Sequence, residues 1–283
     1  MKRFSFSKIM LILGLIFLYI PLIILVVFSF SNSEIINLWG GFTFDWYHEV
    51  IHDEDIINAT FTSLKIATIT SAIATILGTI IAYAMTRFKF FRSRSFLYGL
   101  VATPLVLPDI ILGVALLLMF STLQHLIGWS HERGTTTVVI AHVTMCTAYV
   151  TIVMQSRIAS VDISLEEAAL DLGAGPIETF FKITLPQLIP ALITSALLTF
   201  TLSIDDLVVT EFVAGSDNPT LPMYIYSTVK NGPTPEINAL ATIMIGIIVG
   251  GVLLGMFISA KFQKDKMVKI KSLVYILKVK NSF

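Results

Sequence analysis

A single cysteine, Cys146, excludes an intramolecular disulfide, so thiol pairing says nothing about the compartment. There is no G-x-x-x-x-G-K-[ST] phosphate loop, and the chain is not expected to hydrolyse ATP itself. Charge is also scarce. Asp, Glu, Lys and Arg make up 13% of 283 residues, against about 25% in soluble domains. What fills the space is apolar: 55% of residues are hydrophobic and the mean hydropathy is +0.84.

Those apolar residues fall into runs long enough to cross a bilayer, which takes about 20 residues per helix. Six spans are expected, near 9–30, 60–86, 97–124, 136–156, 188–210 and 237–260, within one membrane domain covering 1–283. The first run follows Lys2, Arg3 and Lys8 as a signal peptide would. Its apolar stretch is longer than a signal core and no A-x-A site follows, so an uncleaved anchor is expected.

The zero net charge conceals an ordered distribution. Lys and Arg gather at the N-terminus, after span 2 (Arg87, Lys89, Arg92, Arg94) and in a tail, 261–283, with seven lysines. The connection after span 1 has no Lys or Arg but six acids. Positive residues mark cytoplasmic loops. Both termini and loops 2–3 and 4–5 are therefore expected inside. The lysine tail reads as a solvated segment facing lipid headgroups.

Small residues are expected to set the packing, because lipid tails are as apolar as leucine and only close backbone approach drives helices together. Ala74, Gly78 and Ala82 form one stripe; Gly246 with Gly250, and Gly251 with Gly255, form others. Glycine is common in membrane helices anyway, which is the equal alternative.

Between spans 4 and 5 lies a polar interruption, "SLEEAALDLGAGPIETFFKITLP", residues 164–186. Ser164 and Glu167 have capping-box spacing. Leu165, Ala168 or Ala169, and Leu172 recur at helical spacing. Gly173 offers a stop and Pro176 suits the first turn of a second short helix. Phe180, Phe181 and Ile183 give that helix an apolar side before Pro186 enters span 5. A helix lying on lipid would carry Lys and Arg on its polar face. This one has Lys182 against four acids, which favours a protein partner.

Glu167-Ala168-Ala169, Gly173, Ile183, Leu185 and Pro186 match the EAA loop of ABC-importer permeases position for position. "TPLVLPDIILG", "AHVTMCTAYV", "TLSIDDLVVTEFVAG" and "PEINALAT" extend the resemblance along nearly the whole chain, to the polyamine permeases. It is most similar to second permease subunits of putrescine importers, with spermidine permeases as near relatives. The resemblance implies an all-α type I importer fold with a coupling loop at 163–186. There Ala168, Ala169 and Leu172 would pack in a cleft of an ATPase subunit, Gly173 would bend the chain and Glu167 would hold the helix. It also implies a second homologous permease, an extracytoplasmic polyamine-binding protein, a polyamine as cargo and a bacterial cytoplasmic membrane location. No cofactor and no nucleic acid belong to that scheme.

Carboxylates at membrane depth are expensive and mark pathways by default. Asp109, after Pro104 and Pro108 near the middle of span 3, and Asp205 and Asp206, in the outer half of span 5, are the candidates. Asp109 could equally cap a helix restarted after Pro108. The adjacent aspartates point some 100° apart on a helix, so at most one need face the path. Trp46, Tyr47, Tyr224 and Tyr226 are outward aromatics able to meet an amine cation. Glu211 and Lys65 depart from the family pattern; Lys65 is expected to snorkel outward rather than pair with an acid. His142 and Cys146 stand i, i+4, too few ligands for zinc. They read as a packing histidine beside a small apolar cysteine, and no metal is expected. The rival readings are a secondary cation transporter or channel, which leaves the EAA loop unexplained, and a membrane-embedded enzyme.

Overall fold

The computed structural model describes residues 6–35, 38–88, 93–129, 133–215, 219–232 and 234–250. Gly251, Gly255 and the 261–283 tail lie outside them. The described elements are helices: α1 (Phe6–Phe28), α2 (Asp45–His52), α3 (Glu54–Arg87), α4 (Arg94–Val106), α5 (Asp109–Ile127), α6 (Thr135–Ala159), α7 (Ile163–Asp171), α8 (Pro176–Thr179), α9 (Leu185–Ile204), α10 (Val208–Val213) and α11 (Leu221–Asn231). A π-helical turn, Phe180–Thr184, joins α8 to α9. A further apolar helix, α12, covers Pro235–Gly250. Among the described residues five helical stretches are long and apolar enough to cross a bilayer; the part of the expected sixth span beyond Gly250 lies outside them. The chain divides into two units, 1–52 with 229–283, and 53–228.

In the first unit, α1 buries none of its side chains. Beyond it the chain turns back on itself through an antiparallel bridge between Ser31 and Phe42. Phe30 stacks on Phe42 with ring centroids 5.4 Å apart. Trp46 Nε1 donates to the Ser31 carbonyl at 2.8 Å, and the Tyr47 hydroxyl lies 2.6 Å from Ser29 Oγ. The polar ends of these two aromatics, read above as cation receptors, are thus engaged in holding this turn. Gly246 and Gly250 on α12 have nothing within 4 Å of a built Cβ among the described residues.

In the second unit, α3, α6 and α9 form the core, with α5 and α10 against α6. The expected stripe is where the backbones meet. Ala74 and Ala82 are completely buried. A Cβ on Gly78 would fall 2.5 Å from Val150 Cβ, so only hydrogen fits there. On α5, Gly113 plays the same part against Phe212 of α10. Hydrogen bonds supplement this contact, as they do where lipid offers no partner. Ser71 Oγ donates to the Ala196 carbonyl at 2.6 Å, and Thr199 Oγ1 to Ser71 Oγ at 3.2 Å.

Three expectations change here. The second span starts earlier, at Glu54, because Asp53 caps it: the Asp53 carboxylate accepts from the amides of Asp55 at 2.7 Å and Ile56 at 3.1 Å. "DED" is a helix start rather than loop. The third span is not one helix. It breaks between Val106 and Asp109, where Leu107 is extended, as the residue before a proline prefers to be. The fifth breaks too: α9 ends at Ile204 and α10 begins at Val208.

Candidate functional site

Two regions of the second unit carry the polar chemistry, one at each level of the bundle. The lower one is built on the 163–186 loop. Asp162, not Ser164, caps α7; its carboxylate accepts from the Ser164 amide at 3.0 Å. The Ser164 amide and hydroxyl stabilise the ionised carboxyl and hold its pKa below the ordinary value. The capping box expected from Ser164 and Glu167 therefore starts two residues too late, because Asp162 is already extended and reaches the free amide first.

α7 ends in a Schellman motif. The Ala174 amide donates to the Ala169 carbonyl at 3.0 Å and the Gly173 amide to the Leu170 carbonyl at 2.9 Å. Gly173 has φ +89°, a left-handed conformation that explains its residue type. Pro176 then opens α8, as its fixed φ favours. The elbow shows apolar side chains outward. Leu172 is 90% exposed, and Leu165, Leu170, Ile177 and Phe181 are exposed as well. Glu167 and Ala168 are exposed, while Ala169, Ile183 and Leu185 are half-buried and Pro186 is exposed.

Sequence reasoning missed the residue that fastens this elbow. Glu166 is buried, and its Oε1 accepts from Arg87 Nη2 at 2.8 Å and from Thr184 Oγ1 at 3.0 Å. Tyr83 adds an edge-to-face contact with Phe180, centroids 5.1 Å apart. The last turn of α3 is thus locked to both arms of the elbow. The available sign was Arg87, read above only as a marker of the cytoplasmic side.

The upper region lies where α5 and α10 begin. At its centre Asp206 Oδ2 lies 3.1 Å from His142 Nε2. The same oxygen accepts from the Thr210 amide at 2.8 Å and the Thr210 hydroxyl at 2.7 Å. His142 Nδ1 meets Ser203 Oγ at 2.7 Å. The imidazole is fully buried and bonded on both nitrogens, so besides packing between helices it ties α6 to α9 and α10. Cys146, one turn away, is buried in the apolar core.

The aspartates differ. Asp206 turns inward to His142, whereas Asp205, at the end of α9, is exposed. Asp109 is exposed in the first turn of α5, just past Pro108. Glu211 is exposed on α10. By the helical rise of about 1.5 Å per residue, Lys65 lies about 33 Å above Arg87, close to the thickness of a hydrocarbon core. It borders a cavity of about 560 Å³ with Asp55, Asn58 and Tyr224.

Comparison with known proteins agrees with this architecture. Residues 74–268 match the family described as "Binding-protein-dependent transport system inner membrane component". The chain is 44% identical over 264 residues to the putrescine transport system permease protein PotI of Escherichia coli (strain K12), covering 93% of this chain and 94% of that one. It is 38% identical over 262 residues to the spermidine/putrescine transport system permease protein PotC of Haemophilus influenzae, covering 92% and 99%. Among solved structures, a chain of the bacterial alginate ABC transporter in complex with its pentasaccharide-bound periplasmic protein superposes with TM-score 0.69 at 18% identity, covering 89% and 91%. A chain of the inward-facing MetNI methionine ABC transporter superposes with TM-score 0.58 at 15% identity, covering 70% and 91%. The fold is the type I ABC-importer permease fold.

Proposed function

The chain belongs to the family of binding-protein-dependent transport system inner membrane components, and from that premise we propose that it is a permease subunit moving a polyamine, putrescine in the first instance, inward across the bacterial cytoplasmic membrane. The similarity to PotI supports putrescine, and the similarity to PotC supports spermidine as the second reading. The N- and C-termini face the cytoplasm in this scheme, as the placement of Lys and Arg favours.

The observation that carries the mechanism is the elbow. Its outward apolar side chains, led by Leu172, need a cover, and its root is welded to α3 through Arg87 and Glu166. An ATPase subunit gripping Ala168, Ala169 and Leu172 would move α7, and the buried ion pair would pass that motion into the bundle. Glu167, Gly173, Ile183, Leu185 and Pro186 shape the same joint. The nucleotide acts by favouring one of two arrangements of the helices, which requires differential affinity for them. A second homologous permease completes the path and receives cargo from an extracytoplasmic polyamine-binding protein.

Along that path Asp205 and Asp109 each stand at a break in a helix. Broken helices within a bundle bare backbone groups and side chains that bind ions and substrates. An ammonium that has shed water needs such acceptors. With few of them the affinity stays modest, and cargo is released inward. The test is uptake of radiolabelled putrescine and spermidine by a strain lacking the gene, carrying either the wild-type chain or Asp205→Asn. Wild type restores ATP-dependent putrescine uptake and the variant restores little. Unchanged uptake of both amines in the deletion strain refutes the assignment.

A further inference from the structure

The break after Ile204 is not made by proline or glycine, since "SIDDLVV" contains neither. Within the gap the Asp206 carboxylate caps α10, accepting from the Val209 amide at 3.4 Å and the Thr210 amide at 2.8 Å. That carboxylate is in turn held from outside the segment. The group that touches both sides is His142, on α6. Its Nδ1 reaches Ser203 in the last turn of α9, and its Nε2 reaches Asp206 in the gap and Thr210 in α10, the latter at 2.9 Å.

An ionised Asp206 only accepts, and a ring with its hydrogen on Nε2 meets it as a donor, while Nδ1 lies within hydrogen-bond reach of the Ser203 hydroxyl. Thr210 donates to Asp206 through both its amide and its hydroxyl. Oδ2 of Asp206 is thereby surrounded by donors from two helices, at a fully buried histidine. Asp205, the residue just before it, remains exposed.

We infer that His142 is a positioning residue for transport: it pins Asp206 between α9 and α10, keeps the helix broken and so leaves Asp205 as the carboxylate that meets the amine. This rests on the reading of Asp205 as a pathway residue. His142 itself does not touch cargo. Removing it lets residues 205–207 close into the helix, where each step turns a side chain by about 100°, and Asp205 swings off the path.

The test uses the full importer in proteoliposomes with its loaded binding protein, and reads amine moved per ATP hydrolysed. His142→Leu should lower that ratio at least tenfold, because ATP turnover suffers less than uptake. His142→Gln, whose amide keeps a donor and an acceptor, should recover the ratio to within about threefold of wild type. A wild-type ratio in His142→Leu overturns the inference. So does a parallel loss of uptake, ATP turnover and complex yield in both variants, the mark of a merely structural residue. Asp205→Asn separates the two claims. A wild-type ratio there, with the ratio lost in His142→Leu, keeps the clasp and removes Asp205 as the contact.

Discussion

Arg87 and Glu166, 79 residues apart, meet at 2.8 Å with side chains only 13% and 10% exposed, and Thr184 closes the triangle from the start of α9. The contact joins three segments that the sequence places in separate loops and spans. Breaking such a pair by removing one partner leaves a buried charge uncompensated, at a cost of about 3–5 kcal/mol. Arg87→Ala and Glu166→Ala should each reduce the yield of assembled importer and ATP-driven uptake. The double variant Arg87→Met/Glu166→Leu should recover part of the yield, since no charge is orphaned. Thermal melting of the purified complexes measures the coupling; additive losses in the double variant would contradict it.

Leu172 offers the opposite case. At 90% exposed it supports nothing inside the chain. Leu172→Asp should leave thermal stability of the permease within about 0.5 kcal/mol, as surface changes do, yet abolish co-purification of an ATPase subunit. Intact recovery of the ATPase would remove the elbow as the docking surface.

Gly78 should tolerate no side chain. Its Cβ position is 2.5 Å from Val150 Cβ and 3.0 Å from the Thr147 carbonyl. Gly78→Val should destabilise the bundle by about 1–3 kcal/mol, the usual cost of overpacking, visible as a lower melting temperature in detergent. Gly246→Ala, with nothing within 4 Å of a built Cβ among the described residues, should melt as wild type.

Asp162 gives a pH signature. Its folded pKa lies below the ordinary value because the Ser164 amide and hydroxyl bind the ionised form. The capping contribution is therefore complete above the unfolded carboxylate value of about 3.9 and is lost as pH falls through the lower, folded value. Asp162→Asn, an equally good cap, should keep α7 ordered and remove that acid dependence. Asp162→Ala should fray α7 at every pH. Amide hydrogen exchange of residues 163–167 follows both.

The spans were legible because hydropathy is a sum over twenty residues, and errors at single positions average out. The elbow was legible for a similar reason: Gly173 and Pro176 act through their own backbones and need no distant partner. Choosing between neighbours is different. Glu166 and Glu167 look alike in sequence, yet one is buried against Arg87 and the other faces outward, a choice made by a helix turn and a residue 79 positions away. The break before Pro108 had a proline as its sign, whereas the one at 205–207 shows only Asp206, which caps α10 and meets His142 of α6. His142 and Asp206 stand 64 residues apart, and only the packing of α6 on α9 and α10 makes them partners.

α3 has no proline along its 34 residues, and its one glycine is wedged against Val150. Its C-terminal end is bolted to the elbow at Arg87, and towards its N-terminal end Ser63 Oγ receives the Leu221 amide at 2.8 Å. Such a strut, about 50 Å long, cannot absorb a tug by flexing midway. A displacement given to its foot at the elbow must reappear at its head beside Leu221, so the two ends of the span are geared together by a single rigid spar.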